Sequence, residues 1–276
     1  MMPKLRALSA AAVAAATIFA AAGAPMPAAA TGGCPTGPTN GDVEVASNTI
    51  CILTTSTPVK GDVTVDDHGV LELEGASISG DVYVEYGGAL LSDYAVSTYL
   101  GSGGANGTYQ DTGKRSSVGG SIQYNYEELP GTVPVVLILI NTSVGKGVTV
   151  GSGSNLYQLA ICGSNISGGL NLYDVEPTMG AFVGDPPPTS TENNQIQFDG
   201  HCAGNKISGG MHASEVNDIA IEGNQINGGL TVYGGSDDVE VDGNTITGGA
   251  TLCGLGTYDE DFNVPNKISG TIGQCK

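Results

Sequence analysis

From residue 59 onward the chain repeats one short pattern: a β-branched residue, a polar or small one, Gly, a small residue, then apolar-x-apolar. It stands as Val59-Lys60-Gly61-Asp62-Val63-Thr64-Val65, as Ile78-Ser79-Gly80-Asp81-Val82-Tyr83-Val84 and as Val118-Gly119-Gly120-Ser121-Ile122-Gln123-Tyr124. A copy at 144–150 has Lys146 in place of the glycine, and the cleanest copies start at Ile166, Ile207, Ile226, Ile246 and Ile268. Successive anchors lie 19, 40, 26, 22, 41, 19, 20 and 22 residues apart. The short spacings set a period near 20, and the long ones call for inserted loops. A second apolar alternation precedes several anchors, as in Ile219-Ala220-Ile221 and Val239-Glu240-Val241.

Period-two alternation predicts strands, and the Gly-Asn and Gly-Gly pairs predict the bends between them. Two or three short strands per period cannot bury an apolar face alone. Stacked in parallel, they bury a continuous core. The expected fold is all-β: a single parallel β-helix, or β-solenoid, of about nine coils of some 20 residues, right-handed by the general bias of parallel connections. One inward column comprises Val63, Val82, Ile122, Val148, Leu170, Met211, Leu230, Ala250 and Ile272. A second comprises Val65, Val84, Val150, Leu172, Val232 and Leu252. Asn205, Asn224, Asn244 and Asn266 each stand two residues before an anchor, which predicts a ladder of stacked amides.

Residues 1–30 read as an export signal, with Lys4 and Arg6 before an Ala-rich stretch and Ala28-Ala29-Ala30 at the cleavage site. Residues 31–58 then form an N-terminal cap and first coil, and 59–276 the β-helix, with loop insertions near 92–117, 173–195 and 254–265. No other stretch is long enough to span a bilayer. The expected location is secreted, extracellular or at the cell surface.

The whole chain has 9 Lys and Arg against 28 Asp and Glu; loss of Lys4 and Arg6 leaves seven basic residues and a net charge of −21. Such a surface repels nucleic acid and anionic lipid. Forty-four glycines and 5% aromatic residues fit a fold that turns often, while 40% hydrophobic content is too high for disorder. Six cysteines in an exported chain predict three disulfides. Cys253 and Cys275 each lie seven residues after an anchor and pair across adjacent coils. Cys162–Cys202 and Cys34–Cys51 complete the set.

The outward residue five after each anchor reads Thr64, Tyr83, Gln123, Thr149, Asn171, His212, Thr231 and Thr251. This hydrogen-bonding column suits a repeating polymer such as a polysaccharide or cell-surface glycan, although exposed strand positions favour such residues anyway. Val136, Ile138 and Ile140 fall on the outer face of an apolar run and need a cover: a packed excursion, or a second copy in self-association.

No catalytic constellation stands out. Asp66-Asp67-His68-Gly69, Asp199-Gly200-His201-Cys202 and Asp237-Asp238 read as turns, with Asp242 on the outer face. No cofactor or metal site is expected; Asp259, Glu260 and Asp261 could hold Ca²⁺ only weakly.

Across roughly 59–276 the Gly-Asn-x-Ile-x-Gly-Gly-Leu-x-Val repeats resemble secreted right-handed parallel β-helix proteins of the pectate-lyase-like superfamily. That resemblance implies the fold, and often polysaccharide lyase or hydrolase chemistry, but the superfamily's calcium-binding Asp cluster with its Arg and its hydrolase Asp triad have no match here. The two Gly-Asp-Val-x-Val copies within 59–91 also resemble the repeats of bactofilins, which are cytoplasmic, whereas this chain carries an export signal. The function expected is a non-enzymatic structural or adhesin-like solenoid that binds glycan. The alternative is a polysaccharide lyase or glycoside hydrolase of the β-helix type.

Overall fold

The computed structural model describes residues 33–85, 87–93, 113–125, 135–151, 156–177, 180–185, 203–234, 239–254, 265–273 and 275. All regular structure among them is β, in three parallel sheets, so the chain is an all-β parallel β-solenoid. The first sheet has ten strands, from Val43–Val45 to Ile272–Gly273. The second has eight, from Ile50–Thr54 to Val239–Asp242, and the third eight, from Ser77–Ile78 to Lys267–Ser269. Each turn of the chain adds one strand to the first sheet, then one to the second, then one to the third.

Seven turns carry all three strands, from the one opening at Val63–Val65 to the one closing at Thr245–Thr247. This corrects the expectation of about nine coils. The outermost turns are partial because one strand is missing from each. The third-sheet position of the first turn is reduced to isolated bridges at Val59, and the turn at Ala250–Cys253 has no second-sheet strand among the described residues.

Within 31–58, the stretch expected to hold a cap and first coil, Val43–Val45 pairs in full register with Val63–Val65, and Ile50–Thr54 with Val70–Glu74. One boundary also moves. Ala181–Gly184, inside the expected insertion 173–195, is a second-sheet strand between Leu159–Ile161 and Ile219–Glu222. Its Ala-Phe-Val-Gly sequence lacks the apolar-polar alternation because both of its faces are covered.

The inward columns are as the periodicity predicts. Val63, Val82, Ile122, Val148, Leu170, Met211, Leu230 and Ala250 pair successively across the first sheet, and all are buried in one continuous core. Each such side chain contributes on the order of 1.5–3 kcal/mol. At the end of the column Ile272 is 62% exposed. Tyr124 joins the core with its polar tip satisfied: its hydroxyl donates to the Gly88 carbonyl at 2.6 Å.

Two corners are built by side-chain ladders. At the corner between the third and first sheets, the Asp62 N–H donates to Asp42 Oδ1 at 2.9 Å and the Asp81 N–H to Asp62 Oδ1 at 2.8 Å. The Gly-Asp pairing in the repeat follows from this. A Cβ at Gly80 would overlap Asp62 Oδ1, so the glycine makes room for the carboxylate of the preceding coil. At the corner between the second and third sheets, Asn205, Asn224, Asn244 and Asn266 form the expected amide ladder. Ser164 extends it, its N–H donating to Asn205 Oδ1 at 3.0 Å while its hydroxyl accepts the Thr142 N–H at 3.1 Å.

Disulfides Cys34–Cys51 and Cys253–Cys275 are formed, with Cα separations of 5.2 and 5.5 Å. Cys162 is disulfide-bonded as well; Cys202, its expected partner, lies outside the described residues. No described helix is long and apolar enough to cross a membrane.

Candidate functional site

The three outer faces differ in character. On the first sheet the predicted polar column is assembled in strict register. Thr64 pairs with Tyr83, Tyr83 with Gln123, Gln123 with Thr149, and Thr149 with Asn171. Asn171 then pairs with His212, His212 with Thr231, and Thr231 with Thr251. All eight side chains are half-buried, so their outer edges remain in solvent. Neighbouring strands lie about 4.8 Å apart, which makes the column a row of evenly spaced hydrogen-bonding groups.

The corner beside the column's N-terminal half is acidic and ordered. Asp81 Oδ1 accepts from the Ser121 N–H at 2.5 Å, the Ser121 hydroxyl at 2.9 Å and Lys146 Nζ at 3.3 Å. These contacts, the Ser121 N–H first among them, hold the Asp81 carboxyl below the usual carboxylate range. Tyr83 and Gln123 join this network at different points: the Tyr83 hydroxyl donates to Asp81 Oδ2 at 3.4 Å, and Gln123 Nε2 to Ser121 Oγ at 3.4 Å.

In the C-terminal half the column meets aromatic rings. The His212 ring lies 5.6 Å from that of Tyr173 and 6.0 Å from that of Tyr233, centroid to centroid, in tilted and edge-on arrangements. Tyr173 is 39% and Tyr233 44% exposed.

The second sheet's outer face is covered along its middle, from Glu72 to Phe182, while Ile52 at its N-terminal end is 44% exposed. Val136, Ile138 and Ile140 do point outward, yet they are buried in a second apolar cluster with Leu91, Ala160, Cys162 and Phe182. They are therefore closed off within the single chain.

Beyond this stripe the same face turns acidic. Glu222 pairs with Asp242, and Glu240 occupies the same face two residues before Asp242. Glu222 and Asp242 are both buried. Burial, followed by the nearby charges of Glu240, Asp242 and Asp185, pushes the Glu222 carboxyl up to about 8. Asp185 is itself raised by desolvation. Among the described residues no group of three or more His, Cys, Asp or Glu is arranged to hold a metal ion.

The third sheet presents small polar residues. Ser77, Ser79, Ser117, Ser143, Asn165 and Ser167, with Gly119 and Gly145 between them, line a shallow depression of about 490 Å³.

Asp66, Asp67 and His68 make the expected turn. His68 has φ of 59°, its Nδ1 lies 2.6 Å from Asp67 Oδ1, and the Gly69 N–H donates to the Asp66 carbonyl. Asp199, His201, Asp237, Asp238, Asp259, Glu260 and Asp261 lie outside the described residues.

Sequence reasoning missed two groupings. Tyr173 and Tyr233 stand seven residues after their anchors, the position that located Cys253 and Cys275, and that same alignment brings the tyrosines together. Glu222 and Asp242 each stand two residues before a ladder asparagine, so aligning Glu222-Gly223-Asn224 with Asp242-Gly243-Asn244 would have placed the two carboxyls side by side. No family model, curated protein or solved structure matches this chain.

Proposed function

We propose that the chain is an exported, non-enzymatic β-solenoid of structural or adhesin-like kind that binds a glycan along the open face of its first sheet. The observation that carries this reading is the in-register column from Thr64 to Thr251, a straight row of hydrogen-bonding groups on a rigid scaffold. The disulfides at Cys34–Cys51 and Cys253–Cys275 support an oxidising, extracellular setting. The net charge of −21 left after removal of Lys4 and Arg6 disfavours nucleic acid and polyanionic ligands.

The test is retention of residues 31–276 on immobilised neutral and charged polysaccharides and on isolated cell walls. Binding that drops at least tenfold in the double substitution Thr149→Val, Asn171→Val supports the reading. Absence of retention on every polymer and wall preparation removes it.

A second reading, a polysaccharide lyase or glycoside hydrolase of the β-helix type, is favoured by one observation: burial and the nearby carboxyls of Glu240, Asp242 and Asp185 push the Glu222 carboxyl up to about 8. A carboxyl raised by burial and by neighbouring carboxyls is a feature that general acid-base chemistry uses. Its burial on the covered face weighs against access for a polymer. Release of oligosaccharides from a polysaccharide panel, abolished by Glu222→Gln, would establish this reading in place of the first.

A further inference from the structure

We infer that the C-terminal half of the open face carries a subsite for a cationic sugar, built on Tyr173, His212 and Tyr233. The inference rests on the glycan-binding reading and narrows it to polymers of amino sugars with free ammonium groups.

Register fixes the geometry. Tyr173 pairs with Ser214 and Ser214 with Tyr233, so the two tyrosines stand two strand spacings apart, about 9.6 Å. Ser214 between them is too small to fill the gap. The His212 ring occupies the strand between, in contact with both tyrosine rings. Two half-exposed tyrosines, linked by a ring that restrains them, present an apolar surface already ordered before any ligand arrives. Aromatic faces of this kind accept the C–H face of a pyranose ring or an ammonium group lying over the ring.

Charge selects between sugars. Asp174 and Glu215 directly follow Tyr173 and Ser214, and both are exposed with left-handed φ values of 53° and 56°. The first-sheet register skips Glu215 on passing from Ser214 to Val216, so this residue is looped out of the ladder beside the rings. The strands Leu170–Tyr173, Met211–Val216 and Leu230–Gly234 contain no Lys or Arg. A uronate polymer would meet the Asp174 and Glu215 carboxylates here with no Lys or Arg to offset them, whereas an ammonium finds ring faces and carboxylates.

Calorimetric titration of residues 31–276 with three oligosaccharides tests the assignment: a β-linked glucosamine oligomer, its N-acetylated counterpart and oligogalacturonate. The expected order is glucosamine oligomer at least tenfold tighter than the acetylated one, with no detectable oligogalacturonate binding. Tyr173→Ala and Tyr233→Ala should each weaken the glucosamine oligomer at least tenfold, Tyr233→Phe should retain binding, and all three should melt like the parent. Equal affinity in the alanine variants, or a reversed preference, overturns the subsite while leaving the glycan reading in place. Equally tight binding of polylysine that resists both alanine changes assigns the effect to bulk charge and also overturns it. If no sugar binds anywhere on the protein, both readings fall together.

Discussion

Asn224 donates its side-chain amide to Asn244 Oδ1 at 2.9 Å, and the same Asn244 oxygen accepts the Asn224 backbone N–H, also at 2.9 Å. The neighbouring pair repeats this bifurcated contact, because Asn224 Oδ1 takes both the backbone N–H and the side-chain amide of Asn205. The second amide hydrogen of Asn224 goes to the Val183 carbonyl at 2.8 Å. Every hydrogen-bonding group of this fully buried side chain thus closes a corner that the backbone leaves open.

Asn224→Ala strands the Asn205 N–H and takes the side-chain amide donor from Asn244 Oδ1 in a dry corner. Each orphaned group costs about 1–3 kcal/mol, so the expected loss is about 3–5 kcal/mol. Asn266→Ala, at the less buried end of the ladder, should cost less than half of that. Urea denaturation of both variants checks the order, and equal losses would show that the ladder does not act through buried groups.

Gly168 sits where the corner of one coil presses on the next. A Cβ there would overlap the Lys146 carbonyl, whereas at Gly41 it meets nothing within 4 Å. Gly168→Ala should therefore cost about 3 kcal/mol or more through backbone displacement, and Gly41→Ala should be close to neutral. Thermal melts of the two variants give the comparison, and a near-parental melt for Gly168→Ala would refute the contact.

Cys253→Ser opens the link between the last two strands of the first sheet. The bond spans 22 residues, and loop entropy for that length corresponds to about 3 kcal/mol. Hydrogen exchange should show the loss concentrated in Ala250–Cys253 and Ile272–Gly273, with protection at Val82–Val84 unchanged. A uniform loss along the stack would mean that the coils do not open separately.

Burial, with the charges of Glu240, Asp242 and Asp185, pushes the Glu222 carboxyl up to about 8 in the folded chain, against 4.5 for an ordinary glutamate. Between those values the folded state holds a proton that the unfolded state has released. Stability is therefore highest below the ordinary value and falls as pH rises through the window, by up to about 1.4 kcal/mol per pH unit from this group. Glu222→Gln should remove that component and exceed the parent in stability above pH 8. Denaturation midpoints at pH 5, 7 and 9 measure it, and parallel pH profiles for parent and variant would contradict the raised carboxyl.

The parts of the fold that repeat were legible in the sequence. Val63-Thr64-Val65 and its later copies encode strand, face and register at once, since slipping by one residue would turn Thr64 inward and both valines outward. Asn205 to Asn266 and the Cys253–Cys275 disulfide followed from the same period, and Cys34–Cys51 from the cysteines left over. Ala181–Gly184 was hidden because a strand buried on both faces loses its alternation. Tyr173 with Tyr233, and Glu222 with Asp242, were hidden for another reason. Each is unremarkable within its own coil, and only the alignment of separate coils creates the grouping.

The amide ladder also has a mechanical meaning. Its hydrogen bonds, like those of all three sheets, run along the axis on which the coils are piled. Tension applied along that axis loads one inter-coil seam at a time instead of shearing many together. Each coil that peels away must first uncouple its asparagine from the next, so under load the molecule should lengthen in discrete steps, and the asparagine-bearing coils should be the last to pay out.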